Sequence, residues 1–142
     1  MPPTRGPSAF LSIVTNIHMP KNSYRDLVAW QIAMDLVDEI YRTVRAFPKD
    51  ETYALSLQMR KAAMPTPCNI AEGHGRFSLR DFRHFLREAR ASGLELETEI
   101  TIASCQRYID VEREAILLEQ TARVGQVING LIRHLGQRLR DE

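Results

Sequence analysis

The chain has 142 residues, a length typical of one domain that buries a sizeable core without disulfides or metals. Hydrophobic residues make up 44% and charged residues 26%, and no apolar run approaches the roughly 18 residues that a membrane helix needs. The formal net charge of +1 argues against a protein whose whole surface binds polyanions or polycations. Local charged patches remain compatible with this net charge. With only two cysteines, no disulfide framework is expected, which favours a cytoplasmic protein.

Residues 1–22 carry four of the seven prolines and no regular hydrophobic pattern, so they predict a flexible N-terminal tail. The apolar stretch Ala9–Ile17 imitates a signal peptide, but polar residues interrupt it and no small-residue cleavage site follows. Met19 lies just before the first regular pattern, so both Met1 and Met19 stay open as the start of the protein.

Two helices are predicted in the first half of the chain, over residues 25–46 and 51–72. The stripe of the first predicted helix, which we expect to bury Trp30, comprises Leu27, Trp30, Met34, Val37, Tyr41 and Val44. For the second predicted helix, Asp50 is the expected N-cap and Gly73 the expected stop. Pro65 and Pro67 each remove a backbone donor, so a kink is expected there.

Two longer helices are predicted over residues 79–108 and 111–139, with Ser78 and Asp110 as their N-caps. No alternation typical of strands occurs. The four patterns therefore predict an all-α, antiparallel, up-down-up-down four-helix bundle over residues 23–142. The last two helices are longer than the first two by roughly 10 Å. Their excess falls in an apolar hairpin at residues 100–118, which favours a homo-oligomer that covers it.

The sequence shows no recognisable catalytic, cofactor or metal site. Two-metal bundles need paired Glu-x-x-His motifs, and the nearest match here is the single segment Asp81–His84. Cys68 and Cys105 have no Cys-x-x-Cys partner and are expected to be small core residues. Gly73 and Gly75 lack the other residues of a phosphate-binding loop, so a turn with glycines at positive φ is expected. We therefore predict a protein that is not an enzyme and has no cofactor.

One surface pattern stands out on the third predicted helix, and we call it the arginine stripe. It comprises Arg76, Arg80, Arg83, Arg87 and Arg90. The steps of four and three keep these side chains on one line, which is expected to face outward. One interpretation is a solvated face held by ion pairs with Asp81 and Glu88; the other is a binding face for phosphates or an acidic partner. Residues 60–90 carry seven basic and three acidic residues, whereas residues 92–119 carry two basic and seven acidic, a polarity that suits contacts between copies.

Several segments together resemble a known family. They include Tyr24–Leu27, Phe47-Pro48, Gln58–Ala63, Asn69–Arg76 and Ala89–Ser92. These segments resemble the four-helix-bundle proteins encoded in intervening sequences of bacterial 23S ribosomal RNA. That family includes the accessory variability protein of diversity-generating retroelements. The most specific part of the resemblance is the motif formed by Asn69, Ile70, Ala71, Glu72, Gly73 and Arg76.

The resemblance implies a four-helix bundle that assembles as a ring of five copies, with no known catalysis. The retroelement branch binds RNA or DNA and its reverse transcriptase through a strongly basic surface, and the net charge of +1 departs from that branch. Pro65 and Gly93 depart from the family pattern too, the first sharpening the bend and the second loosening the packing. We interpret the motif as structural, because Asn and Glu side chains satisfy backbone groups beside a proline. Two hypotheses follow: a homo-oligomeric scaffold without enzymatic activity, or an accessory protein that binds nucleic acid through the arginine stripe.

Overall fold

The computed structural model describes residues 23–141, and within this span the chain forms helices and no strand. The predicted tail and both candidate starts lie outside the described residues. Two short 3-10 turns occur at Tyr24–Asp26 and Lys49–Glu51. The α-helices are α1 Val28–Val44, α2 Leu55–Ala63, α3 Pro65–His74, α4 Leu79–Cys105 and α5 Val111–Arg140.

These helices form a four-helix bundle, in which α2 and α3 together take the place of the second predicted helix. The α2–α3 unit packs between α1 and α4, and α5 closes the bundle by contacting both α4 and α1. The first turns of α4 lie beside the last turns of α5, since Arg83 reaches the backbone of Ile132. The alternating direction of all four units and the sharpness of the proline bend stay predictions.

The core follows the predicted hydrophobic stripes on α4 and α5, but the stripe predicted for the first helix is wrong in most of its members. On α1, Leu36 and Ile40 are buried, and only Trp30 and Val44 of the predicted stripe are. Residues 29, 33, 36 and 40 repeat with the same steps of four and three, so periodicity alone did not distinguish the two faces. The half-buried members of the predicted stripe are Leu27, Met34, Val37 and Tyr41.

The largest fully buried side chains of the core include Leu36, Ile40, Met59, Ile70, Leu86, Leu96, Ile100, Leu117 and Ile128. Trp30 is 6% exposed, which confirms that it belongs to the core. Burial of such side chains contributes roughly 1.5–3 kcal/mol each, so the packed stripes are what hold the four units together.

Two N-caps fix the starts of the long helices where the sequence predicts them. The Ser78 hydroxyl accepts a hydrogen bond from the Asp81 backbone N–H at 3.2 Å, and α4 begins at Leu79. The Asp110 carboxylate accepts one from the Arg113 N–H at 2.7 Å, and α5 begins at Val111. Each cap satisfies an N–H group that would otherwise lack a partner in the first turn.

The second predicted helix is wrong in its start, and it is interrupted in the proline segment where the sequence predicted a disturbance. Residues 49–51 form a 3-10 turn, so Asp50 caps no α-helix, and α2 begins only at Leu55. There, a Glu51 carboxylate oxygen accepts a hydrogen bond from the Leu55 N–H at 3.0 Å. The helix is then divided at Met64, because Pro65 and Pro67 have no N–H for the carbonyls four residues before them. The first predicted helix also starts late, at Val28, after the turn that Ser23 caps.

The backbone conformation of the two later turns corrects the expectation for the glycines. Gly73 is helical within α3, Gly75 has φ −74°, and no described glycine has a positive φ. The one positive φ in residues 23–141 belongs to Arg107, at 63°, after the end of α4. The Tyr108 N–H donates to the Ala103 carbonyl and the Arg107 N–H to the Ser104 carbonyl, which is a Schellman ending.

The solvent exposure of individual side chains corrects two further expectations. Cys68 and Cys105 are both exposed rather than small core residues, because each lies on the outer side of its helix. In the predicted apolar hairpin, Ile100 and Leu117 are buried in the core of their own chain. The apolar side chains left exposed there are Ile102, Val111 and Ile116, a smaller set than the sequence predicted.

Candidate functional site

The arginine stripe begins just before α4 and continues along its first half. Arg80, Arg87 and Arg90 are exposed, as the sequence predicted. Within residues 23–141, no carboxylate lies within 4.0 Å of any of these three guanidinium groups. The acidic side chains of Asp81 and Glu88 therefore do not hold them, and the three arginines present free cationic groups to the solvent.

Arg83 does not face outward, which corrects the prediction for this member of the stripe. Its side chain is half-buried, and its Nε donates a hydrogen bond to the Ile132 carbonyl oxygen at 3.1 Å. The guanidinium group lies against Gly136 of α5, where an added Cβ would approach Nη2 to 2.7 Å. Arg83 thus joins α4 to α5 and is a structural residue rather than part of a binding face.

Arg76 connects the stripe to the motif in α3. Its guanidinium group pairs with the Glu72 carboxylate at 3.0 Å and lies 5.1 Å from the centre of the Phe85 ring. Both Arg76 and Glu72 are about half exposed, so the ion pair stabilises the turn only weakly. The aromatic contact holds the arginine beside the first turns of α4.

The remaining motif residues lie within α3, and Gly73 is the one shown in close contact with α4. Asn69 donates a hydrogen bond from Nδ2 to the Pro65 carbonyl at 2.8 Å, Ile70 is fully buried, and Ala71 is half-buried. Gly73 lies so close to α4 that an added Cβ would be 2.8 Å from Phe82 and Phe85 atoms. These contacts position the start of α4, and with it the arginine stripe.

The fold brings further basic residues beside the arginine stripe, and the sequence pattern did not predict them. A groove at the α3–α4 turn is lined by His74, Arg76 and Arg138, together with Phe77 and Phe82. Arg138 comes from the last turns of α5, more than sixty residues away in sequence. The signal was available in the cluster of arginines at the end of the last predicted helix, because an antiparallel hairpin brings that end to the start of α4.

The other end of the bundle exposes acidic and apolar side chains at the α4–α5 hairpin. Asp110, Glu112 and Glu119 are exposed near the α4–α5 hairpin, beside the exposed Val111 and Ile116. Arg113 is occupied there, since it hydrogen-bonds the Glu39 carboxylate and the Thr43 hydroxyl of α1. The charge polarity predicted along the chain is only partial at this end, because the exposed basic residues Arg45, Lys49 and Arg107 lie there too.

One buried carboxyl group is unusual. Glu99 in α4 is 8% exposed, and its Oε2 has no hydrogen-bond partner among the described residues. Burial, with a smaller contribution from the Glu95 carboxylate, raises the pKa of Glu99 from 4.5 to about 7. The folded protein therefore holds this carboxyl group partly protonated near neutral pH.

Residues 23–141 lack two further kinds of feature. No group of three or more His, Cys, Asp or Glu side chains is arranged to hold a metal ion within residues 23–141. None of the described helices is both long and apolar enough to cross a membrane.

Comparison with known proteins places this bundle in a family. A crystal structure of a protein with unknown function, from the S23 ribosomal protein family of Bacteroides thetaiotaomicron, has the same fold, with a TM-score of 0.67. The two chains are 18% identical, and the match covers 74% of this chain and 98% of that one. No curated protein matches this chain in sequence. The model of the 23S rRNA-intervening sequence protein family matches residues 25–130, and the chain belongs to this family.

Proposed function

We propose that the protein is a cytoplasmic, non-enzymatic helical scaffold that assembles from identical copies through the α4–α5 hairpin. The observation that carries the proposal is the exposure of three apolar side chains at this hairpin: Ile102 at 43%, Val111 at 78% and Ile116 at 48%. Apolar side chains grouped at one end of a small domain are typical of a surface that another protein covers. The resemblance given by the sequence implies five copies.

The charge distribution supports a ring in particular. The basic end of the bundle, with Arg80 and Arg138, and the acidic hairpin end, with Glu112 and Glu119, carry opposite charge. A basic end of one copy that contacts the acidic end of the next forms a heterologous interface, and such interfaces close into rings when the rotation permits.

Light scattering during size-exclusion chromatography tests the proposal. The wild-type protein is expected to elute at several times its chain mass of 16.3 kDa, and at about five times if the ring holds five copies. Val111→Asp and Ile116→Asp should shift it toward the monomer, because each introduces a charge into the apolar contact. Leu94→Asp is the matched control, since Leu94 is 51% exposed but lies in the middle of α4, away from both ends of the bundle. A wild-type monomer at micromolar concentration contradicts the proposal.

A second function is favoured by a separate observation, the free guanidinium groups of Arg80, Arg87 and Arg90. We propose that this face binds the phosphate backbone of RNA or DNA, with Arg76 and Arg138 extending it at the groove. A ring would present several copies of the face at once and raise the overall affinity. A near-neutral chain can bind in this way because the basic residues are concentrated at one end.

Gel-shift titration with RNA and DNA at low and high salt tests this second function. The triple variant Arg80→Gln, Arg87→Gln, Arg90→Gln should weaken binding. It should also reduce the slope of the logarithm of the binding constant against the logarithm of the salt concentration, by up to about three per subunit. Exposed Lys61 and Arg45, changed together to Gln, provide a control on other elements. No shift of either nucleic acid by the wild type at low salt contradicts this function.

A further inference from the structure

The turn between α3 and α4 carries an aromatic side chain that the fold does not use. Phe77 is fully exposed, at 110% of its reference surface area, whereas Phe47 is 7% exposed and lies in the core. Phe82 and Phe85 on α4 are half-buried and take part in ring contacts, and none of the ring contacts within residues 23–141 involves Phe77. Because its ring buries no apolar surface, Phe77 contributes nothing to the packing of the bundle.

The exposed ring lies beside cationic side chains from two parts of the chain. Phe77 lines a groove of about 280 Å³ together with Arg76 from the same turn and Arg138 from α5. Arg76 pairs with Glu72, while Arg138 forms no ion pair within residues 23–141. Arg80 follows in the first turn of α4. The ring and the three arginines are all exposed, so a ligand reaches them without any movement of the helices.

This combination matches the two parts of an unpaired nucleotide. A base stacks on an aromatic ring whatever its identity, and guanidinium groups contact the phosphates on either side of it. A ligand made of phosphates alone would leave the ring of Phe77 unused. In a duplex, both faces of each base are covered by the neighbouring bases, so a ring enters only by unstacking a base step, which is costly.

We propose that this face binds an unpaired strand of RNA, with one base per subunit stacked on Phe77 and the adjoining phosphates on Arg76, Arg80 and Arg138. The inference rests on the second proposed function and adds the class of nucleic acid. RNA fits this face because its loops, bulges and ends present unpaired bases that proteins recognise by stacking. From Arg80 to Arg90, α4 rises by about 15 Å, and the phosphates of the strand continue along this line.

Fluorescence anisotropy with an RNA strand of about 12 nucleotides and with the corresponding RNA duplex tests the inference. At about 0.15 M salt, the wild type is expected to bind the strand about fivefold more tightly than the duplex. Phe77→Ala should weaken strand binding about tenfold and duplex binding by less than about twofold, since the duplex does not use the ring. Phe77→Trp should bind the strand at least as tightly as the wild type, because it keeps an aromatic face.

The matched control removes an exposed aromatic side chain elsewhere. Tyr53 is 88% exposed and lies between α1 and α2, so Tyr53→Ala should leave the binding of strand and duplex unchanged. The salt dependence then separates the ring from the arginines. Phe77 neutralises no phosphate, so Phe77→Ala should keep the wild-type slope of binding against salt, whereas the triple arginine variant reduces it. Light scattering should give Phe77→Ala the same mass as the wild type.

Four results overturn the inference and leave the second function in place. The first two are unchanged strand binding by Phe77→Ala and equal weakening of strand and duplex by this variant. The third is tighter binding of a DNA strand of the same sequence than of the RNA strand. The fourth is a lower mass of Phe77→Ala than of the wild type, because the ring then belongs to a contact between copies. If the wild type binds neither RNA, the second function and the inference both fail.

Discussion

The first and second halves of α4 pack against their neighbours in opposite ways. In the first half, α3 approaches so closely at Gly73 that an added Cβ would lie 2.8 Å from atoms of Phe82 and Phe85. In the second half, Gly93 faces open space, at a pocket that lies between α4 and α5. The same residue type therefore closes one interface and opens the other, because the distance between the helix backbones differs.

Polar groups follow the same division. In the first half, Arg83 is half-buried, and its Nε has a partner in the Ile132 carbonyl. In the second half, the Oε2 atom of Glu99 is buried without a partner in the described chain. The first half is thus arranged for stability, while the second half holds a buried carboxyl group that costs stability as the pH rises.

Gly73→Ala tests the close packing in the first half of α4 most directly, and we expect the largest effect from it. The added methyl group collides with Phe82 and Phe85, so the helices must separate, at a net cost of about 2 kcal/mol in the free energy of unfolding. Urea denaturation measures this cost, with Gly75→Ala as the control, because a Cβ there has ordinary contacts of 3.5 Å and longer. An unchanged midpoint would mean that the α3–α4 interface is not tightly packed.

Glu99→Gln tests the unpaired group of the second half. The pKa of Glu99 is raised in the folded state, so its contribution to stability is present below pH 4.5 and is lost as the pH rises through about 7. The variant should therefore gain about 1–2 kcal/mol of stability relative to the wild type between pH 5 and pH 8. Urea denaturation of the variant and the wild type at pH 5 and at pH 8 measures this stability difference. Glu88→Gln is the control, because Glu88 is exposed. A difference from the wild type that does not change with pH contradicts the assignment.

Arg83→Ala compares two members of the arginine stripe. It removes the hydrogen bond to Ile132 and the packing against Gly136, and we expect a loss of about 1 kcal/mol in unfolding free energy. Arg87→Ala, at an exposed and unpaired position, should change stability by less than about 0.5 kcal/mol. Thermal denaturation of both variants measures the difference, and equal effects would contradict the division of the stripe.

Gly93→Ala should have the smallest effect, with the opposite sign to Gly73→Ala. The methyl group enters open space, and alanine favours a helix over glycine, so we expect a gain of about 0.5–1 kcal/mol in unfolding free energy. Urea denaturation of Gly93→Ala and Gly73→Ala under the same conditions measures both changes in unfolding free energy. A loss of stability at Gly93 would show that the gap between α4 and α5 is closed in the folded protein.

The long helices were predictable because their signals are local. Ser78 and Asp110 cap α4 and α5 through their own first turns, and hydrophobic residues at steps of three and four mark the faces that become buried. The resemblance at Asn69–Arg76 led to the correct family for the same reason, since the motif is continuous in sequence. The arginine stripe was predictable only in part: the spacing indicates five arginines on one line but not which of them contact α5.

The sequence by itself determined the all-α class, the hydrophobic stripes of α4 and α5 and the position of the arginine stripe, because helix periodicity and capping depend on nearby residues. The tertiary structure decided what those residues contact. It buries part of Arg83, brings Arg138 beside Arg76, leaves Cys68 exposed and opens the pocket beside Gly93. The physical reason is that the distance and rotation between two helices depend on side chains from both of them, and no single segment carries that information.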